Sequence, residues 1–153
     1  MIAVDLDDGK LETARKAGAT HAVNTARSPL HARLQELTGG RGPDVIIEAI
    51  GLPETYRAAV EEVAYTGRVV YIGWTKDHVT YETRPFVHKE LDILGSRNAQ
   101  HEDFVQVIGM LEQQRFPVED AVTHVIPIDE TASILDAWDR APSSFTKIMV
   151  EVN

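Results

Sequence analysis

The stretch Ile2-Ala-Val-Asp5-Leu-Asp-Asp-Gly-Lys10-Leu-Glu-Thr-Ala-Arg-Lys-Ala-Gly18-Ala-Thr20 decides the fold class. Ile2 to Leu6 is an apolar run of strand length. Asp7 and Asp8 are residues that cap helices, and they stand ahead of Leu11, Ala14 and Ala17 at helical spacing. Gly18 closes that helix. Strand then helix is the unit, and it repeats outward along the chain. Thr20 to Asn24 reads as a second strand, and Ser28-Pro29 starts a helix with Leu30, Leu34 and Leu37 on one face, stopped by Gly39 and Gly40. Asp44 to Ile50 is a nearly continuous apolar run, followed by Gly51 and a helix from Pro53 that carries Tyr56, Val60 and Val63. Arg68 to Ile72 is the fourth strand, and its Val69, Val70 and Ile72 suit a parallel strand covered by helices on both faces. Such alternation predicts an α/β chain with right-handed crossovers.

After Gly73 the rhythm changes. Residues 74–96 offer two extended candidates, Val79 to Thr83 and Leu91 to Ser96, with no long helix between them, so a hairpin-like or edge arrangement is expected. A helix follows from Glu102 to Gln114 with Phe104, Ile108 and Leu111 inward, and Pro117 breaks the pattern. A strand at Val122 to Ile126, a helix from Glu130 to Asp139 with Ile134, Leu135 and Trp138, and a strand at Lys147 to Val152 complete the chain. Residues 1–117 are expected to form one domain and 118–153 a piece of another.

Composition narrows the partners. With 153 residues, 43% of them hydrophobic, the chain can bury a core. Its net charge of -9 argues against nucleic acid or an anionic membrane as the main partner. No apolar run reaches the roughly 18 residues of a membrane span. Met1 leads into Ile2, Ala3 and Val4 without the basic flank of a signal peptide, so a cytoplasmic address is expected. The absence of cysteine removes disulfides, thiolate nucleophiles and cysteine-bound zinc from these residues.

Asp5 is the most informative position. It lies at the carboxyl end of the first strand, where a doubly wound sheet presents groups to a ligand, and a carboxylate there can accept both ribose hydroxyls of an adenosine. The same charge repels a 2'-phosphate, which favours NAD over NADP. A helix cap or solvated turn acid is the competing reading. Asp5, Asp7 and Gly9 brush against a calcium-loop pattern, but the spacing fails and the closing glutamate is missing. Gly40, Arg41, Gly42 and Pro43 precede a strand, the wrong order for a phosphate-binding loop. The histidines His21, His31, His78, His88, His101 and His124 show no metal-ligand spacing. Ser143 and Ser144 lack the surroundings of a hydrolase nucleophile. No catalytic or metal-binding residue is assigned. Lys147 could meet a phosphate, although a solvated edge lysine is the blander reading.

The opening stretch resembles the second strand and following helix of the coenzyme domain in zinc-type medium-chain alcohol and polyol dehydrogenases. Thr38-Gly-Gly-Arg-Gly-Pro-Asp-Val-Ile-Ile-Glu-Ala-Ile-Gly51 resembles that family's loop and fourth strand, and Gly67-Arg-Val-Val-Tyr-Ile-Gly73 its fifth. Residues 85–98 resemble the approach to its sixth strand, and Ile128 to Val152 its return into the catalytic domain. The resemblance implies NAD as cofactor, with Asp5 on the ribose and Lys10 supporting it. It places Ala49 and Ile50 along the adenosine and nicotinamide side, and the backbone of Ile72, Gly73 and Trp74 at the nicotinamide amide. Ser96 and Arg97 fall near the nicotinamide ring, and Lys147 at the pyrophosphate.

The matching residues begin at the family's second coenzyme-domain strand. The expected fold is therefore an incomplete Rossmann-like doubly wound sheet without its first strand, plus a short C-terminal piece of the catalytic domain. The family's Gly-rich turn, catalytic domain and zinc ligands are not among these residues, so zinc would act only through that other domain. In the order 3-2-1-4-5-6 the first strand is central. Without it, either the flanking strands close up, a partner supplies the strand, or the chain is a truncated piece of a longer product. Truncation is expected, with weak or absent NAD binding by this chain alone. The intact enzyme would oxidise an alcohol, polyol or sugar acid and dimerise through the edge segment at 78–95. The alternatives are a zinc-free quinone reductase, a methyltransferase, and a non-catalytic nucleotide-binding or assembly module.

Overall fold

The computed structural model describes residues 1–152; Asn153 and the side chain of Ser143, one of the two serines considered above, lie outside the described residues. In chain order the elements are β1 (Ile2–Asp5), α1 (Asp8–Lys16), β2 (His21–Asn24), α2 (Leu30–Leu37), β3 (Val45–Glu48), α3 (Pro53–Glu62), β4 (Arg68–Tyr71) and α4 (Arg84–His88). They continue with β5 (Asp92–Gly95), α5 (His101–Glu112), α6 (Val118–Ala121), β6 (Val122–Pro127), α7 (Thr131–Arg140) and β7 (Lys147–Glu151). The α/β alternation and the parallel pairing are as expected, in three short sheets: β1-β2, β3-β4-β5 and β6-β7.

Two compact units divide these elements. One holds residues 1–27 and the residues from 100 onward. Here β1 runs parallel to β2 with Ile2 opposite His21 and Asp5 opposite Asn24. Buried Leu11 of α1 and Val23 of β2 supply its apolar contacts. Asp7 caps α1 by accepting the Lys10 amide at 3.0 Å, as its place before an apolar-periodic run foretells. The β6-β7 pair joins through α7, with Ile126 and Phe145 buried.

The other unit covers residues 28–99. Its sheet has β4 in the centre, parallel to both β3 and β5. The core consists of Ala59, Val63 and Val69, with Ile46, Tyr71 and Leu91 packed against it. Lys89 finishes α3 by donating to the carbonyls of Val60, Glu61 and Val63 at 2.7 to 3.3 Å. Orphan carbonyls at a helix end need such donors.

Three expectations are corrected. Residues 79–83 form no strand: Val79 and Tyr81 alternate with exposed neighbours, but no ladder pairs them among the described residues. Instead α4 intervenes, and β5 takes the sheet edge beside β4 in parallel, so the segment is an edge but not a hairpin. Second, α5 does not turn Phe104, Ile108 and Leu111 inward; they are 60%, 53% and 40% exposed. Third, β4 is not equally covered on its two faces: Val69 is fully buried, Val70 is half-buried, and Ile72 just beyond the strand is exposed. Among the described residues β1 pairs with β2 alone, and β3 with β4 alone.

Candidate functional site at the strand ends

In the first unit, Asp5 ends β1 and its Oδ1 accepts the amides of Leu6 at 2.7 Å and Asp7 at 2.9 Å. The carboxylate thereby shapes the turn into α1, while the capping itself falls to Asp7. A carboxylate oxygen can accept more than one bond, so the turn leaves Asp5 with acceptor capacity. From β2, Asn24 Nδ2 donates to the Leu6 carbonyl at 3.1 Å and to Asp8 Oδ1 at 2.7 Å, holding the same turn from the neighbouring strand. Lys10 stands exposed in the first turn of α1. Lys147 does not share this strand end: it opens β7 at its amino terminus, exposed, in the other sheet of the unit.

In the second unit the remaining candidates gather at the carboxyl ends of β3, β4 and β5. Ala49 and Ile50 follow β3, Ile72 to Trp74 follow β4, and Ser96 and Arg97 follow β5. Ser96 donates its amide to the Tyr71 carbonyl at 3.0 Å, which continues the ladder one step past the strand. The Arg97 guanidinium lies 4.6 Å above the Trp74 ring, a cation-π contact between two exposed side chains. Gly51 and Gly73 let the two backbones meet. A Cβ on Gly73 would stand 2.4 Å from the Gly51 nitrogen, and Gly51, at φ 84°, could carry a side chain only 2.6 Å from the Trp74 carbonyl oxygen.

Sequence reasoning missed the residue that organises this end. Glu48 is 5% exposed, and its Oε1 accepts the amides of Ile50 at 2.9 Å and Gly51 at 2.8 Å. The Thr55 hydroxyl reaches the same oxygen at 2.7 Å and the Leu52 carbonyl at 2.9 Å, with one proton to give. The main-chain oxygen of Glu48 accepts Ile72 and Gly73 at 2.9 and 3.0 Å. Tyr56 donates to the Gly73 carbonyl at 2.5 Å, and Tyr71, stacked on it at 4.2 Å, donates to the Tyr56 carbonyl at 2.9 Å. Burial first, then the Glu48 charge, raises the Tyr56 phenol above its ordinary value. Burial and the hydrogen bond from Tyr81 raise Tyr71 strongly. An acid inside the apolar run Val45-Ile-Ile-Glu48-Ala-Ile50 was the signal available, because a buried charge must find donors.

Short parallel sheets in α/β alternation, with an acid closing a strand in one unit and glycine-lined turns closing strands in the other, are Rossmann-like. The chain belongs to the zinc-binding dehydrogenase family, whose model matches residues 1–113. It is 30% identical over 131 residues to an L-threonine 3-dehydrogenase of Chromobacterium violaceum, covering 85% of this chain and 38% of that protein. It is 29% identical over 147 residues to an uncharacterized zinc-type alcohol dehydrogenase-like protein of Haemophilus influenzae, covering 96% and 43%. Among solved structures it is similar to a short chain alcohol dehydrogenase of Escherichia coli CFT073 complexed with cofactor NADH. That likeness has a TM-score of 0.85 at 26% identity, over 99% of this chain and 44% of the other. The chain thus spans less than half the length of these relatives.

The family's two auxiliary groups fare differently here. Among the described residues no three His, Asp or Glu side chains gather as a metal-holding group, so zinc finds no ligand set in them. For a dinucleotide, one unit offers the Asp5 carboxylate at the end of β1, with acceptor capacity, and the other offers the hydrogen-bonded turns after β3 and β4. No described helix is long and apolar enough to cross a membrane.

Proposed function

We propose that residues 1–117 are the NAD-binding portion of a zinc-dependent alcohol, polyol or sugar-acid dehydrogenase, and that 118–153 is the segment returning to its catalytic domain. The match of the family model to residues 1–113 carries this reading. In the intact enzyme, NAD would supply the hydride acceptor for a secondary alcohol, and zinc held by the catalytic domain would supply polarisation of the alcohol oxygen. Asp5 accepts the adenosine ribose hydroxyls with Lys10 alongside, and Lys147 meets the pyrophosphate. Ala49 and Ile50 line the adenosine and nicotinamide side, and Ile72, Gly73, Trp74, Ser96 and Arg97 border the nicotinamide. The enzyme pairs with a second copy through the segment at 78–95.

This chain alone binds NAD weakly and oxidises no alcohol, a reading supported by the lack of a zinc ligand set among the described residues. Calorimetric titration tests this. NAD should bind weakly and saturably, NADP should not bind, and Asp5→Ala should abolish the NAD signal. NADP binding as tight as NAD, or alcohol oxidation by this chain alone, would overturn the reading.

A further inference from the structure

The geometry points to Glu48 as a positioning residue that sets the backbone on the nicotinamide side, an inference that rests on the NAD-binding reading above. One residue holds both segments concerned. Its side chain takes the amides of Ile50 and Gly51, and its main-chain oxygen takes those of Ile72 and Gly73. The Gly73 carbonyl is turned inward by Tyr56. With these four amides and this carbonyl consumed internally, the segments leave Ala49, Ile50, Ile72 and Trp74 exposed, which are apolar or aromatic groups that suit the face of a flat ring.

The unusual feature is the second carboxylate oxygen. Among the described residues Oε2 is buried with no hydrogen-bond partner, and a Cβ on Gly73 would lie 2.5 Å from it. A buried oxygen without a partner is costly, and turns are ordinarily closed by smaller Asx or Ser/Thr side chains at no such cost. From the last position of β3 the Glu48 side chain reaches the turn before α3, while its main-chain carbonyl meets the end of β4. Glu48 therefore fixes the relative placement of the two turns, and touches no ligand itself.

The test is an amide-resolved NMR titration of the full chain with NAD and with ADP-ribose, which lacks the nicotinamide. In the wild-type chain NAD alone should shift the amides of Ile50, Gly51, Gly73 and Trp74. Glu48→Ala should remove those shifts and weaken NAD by about 10-fold, while leaving ADP-ribose affinity unchanged. Glu48→Gln keeps an acceptor oxygen for the turn and should restore NAD affinity to within about 3-fold. Tyr56→Phe, which frees only the Gly73 carbonyl, should weaken NAD about 3-fold and serves if Glu48→Ala does not fold. Equal losses for both ligands, or no loss for NAD, would overturn the positioning role while the NAD reading stands. A wild-type chain that responds to neither ligand overturns the NAD reading and this inference with it.

Discussion

Helices α3 and α5 both carry an apolar stripe at helical spacing, and they end in opposite surroundings. Along α3 and its C-cap, Ala59, Val60 and Val63 are 3%, 2% and 1% exposed against the β3-β4-β5 sheet. Along α5, Phe104, Val105, Val107, Ile108 and Leu111 are all 40% exposed or more. Periodicity sets which side of a helix is apolar, but burial requires a second surface, and only α3 has one among the described residues. Large apolar side chains exposed along one helix are candidates for contact with a second surface.

The contrast can be broken at its strongest point first. Val69→Asp places a charge at the one core position with no exposure at all, and should cost about 3 kcal/mol or more in chemical denaturation, or prevent folding. A soluble, fully folded variant of unchanged stability would mean that the α3 side is not a packed core. Next, Gly73→Ala drives a methyl group into the Gly51 backbone and should cost about 1–3 kcal/mol. Gly95→Ala, with nothing within 4 Å of the added atom, is the control and should stay within about 0.5 kcal/mol of wild type.

A pH experiment sharpens the same contrast. Burial raises the Tyr71 phenol above its ordinary value of 10.0, so the folded chain keeps a proton that the unfolded chain releases. This contribution is fully present below that ordinary value and is lost as pH rises beyond it. Stability measured by denaturant melts should therefore fall as pH passes about 10, and Tyr71→Phe should flatten that fall. An identical alkaline slope in the variant refutes the assignment. The smallest expected stability effect lies on α5: Phe104→Ser with Ile108→Ser should change folding stability by no more than about 0.5 kcal/mol per site. The same pair should lower self-association in sedimentation velocity, because the exposed stripe is what attracts a second surface. Unchanged association would locate the sticky surface elsewhere, with the exposed Val45 and Ile47 of β3 as the next place to look.

Much of the local structure is legible in the residue order. Asp7 caps the first helix and Gly18 follows its end in a left-handed conformation, as their positions relative to Leu11 and Ala17 imply. Parallel pairing follows from strands separated by helices. The misreadings have a common cause. Val79 and Tyr81 have strand-like alternation, but a strand exists only where a neighbour offers a ladder, and β5 occupies the edge of β4. Asp5 was legible as a strand-end acid because one residue and its neighbours suffice to place it. Glu48 shows in the sequence only as an acid inside an apolar run, and its link to Gly73, distant in sequence, appears only in the fold.

The residue order by itself determined the α/β class, the helix boundaries near Asp7, Gly18 and Pro53, and an acid at the end of β1. These depend on contacts within a few residues, which composition and spacing encode directly. The tertiary structure alone decided that β5 lies parallel at an edge, that α5 faces outward, and that Glu48 joins the turns after β3 and β4. Each of those rests on which distant segment supplies a hydrogen-bonding or apolar partner, and no local pattern carries that information.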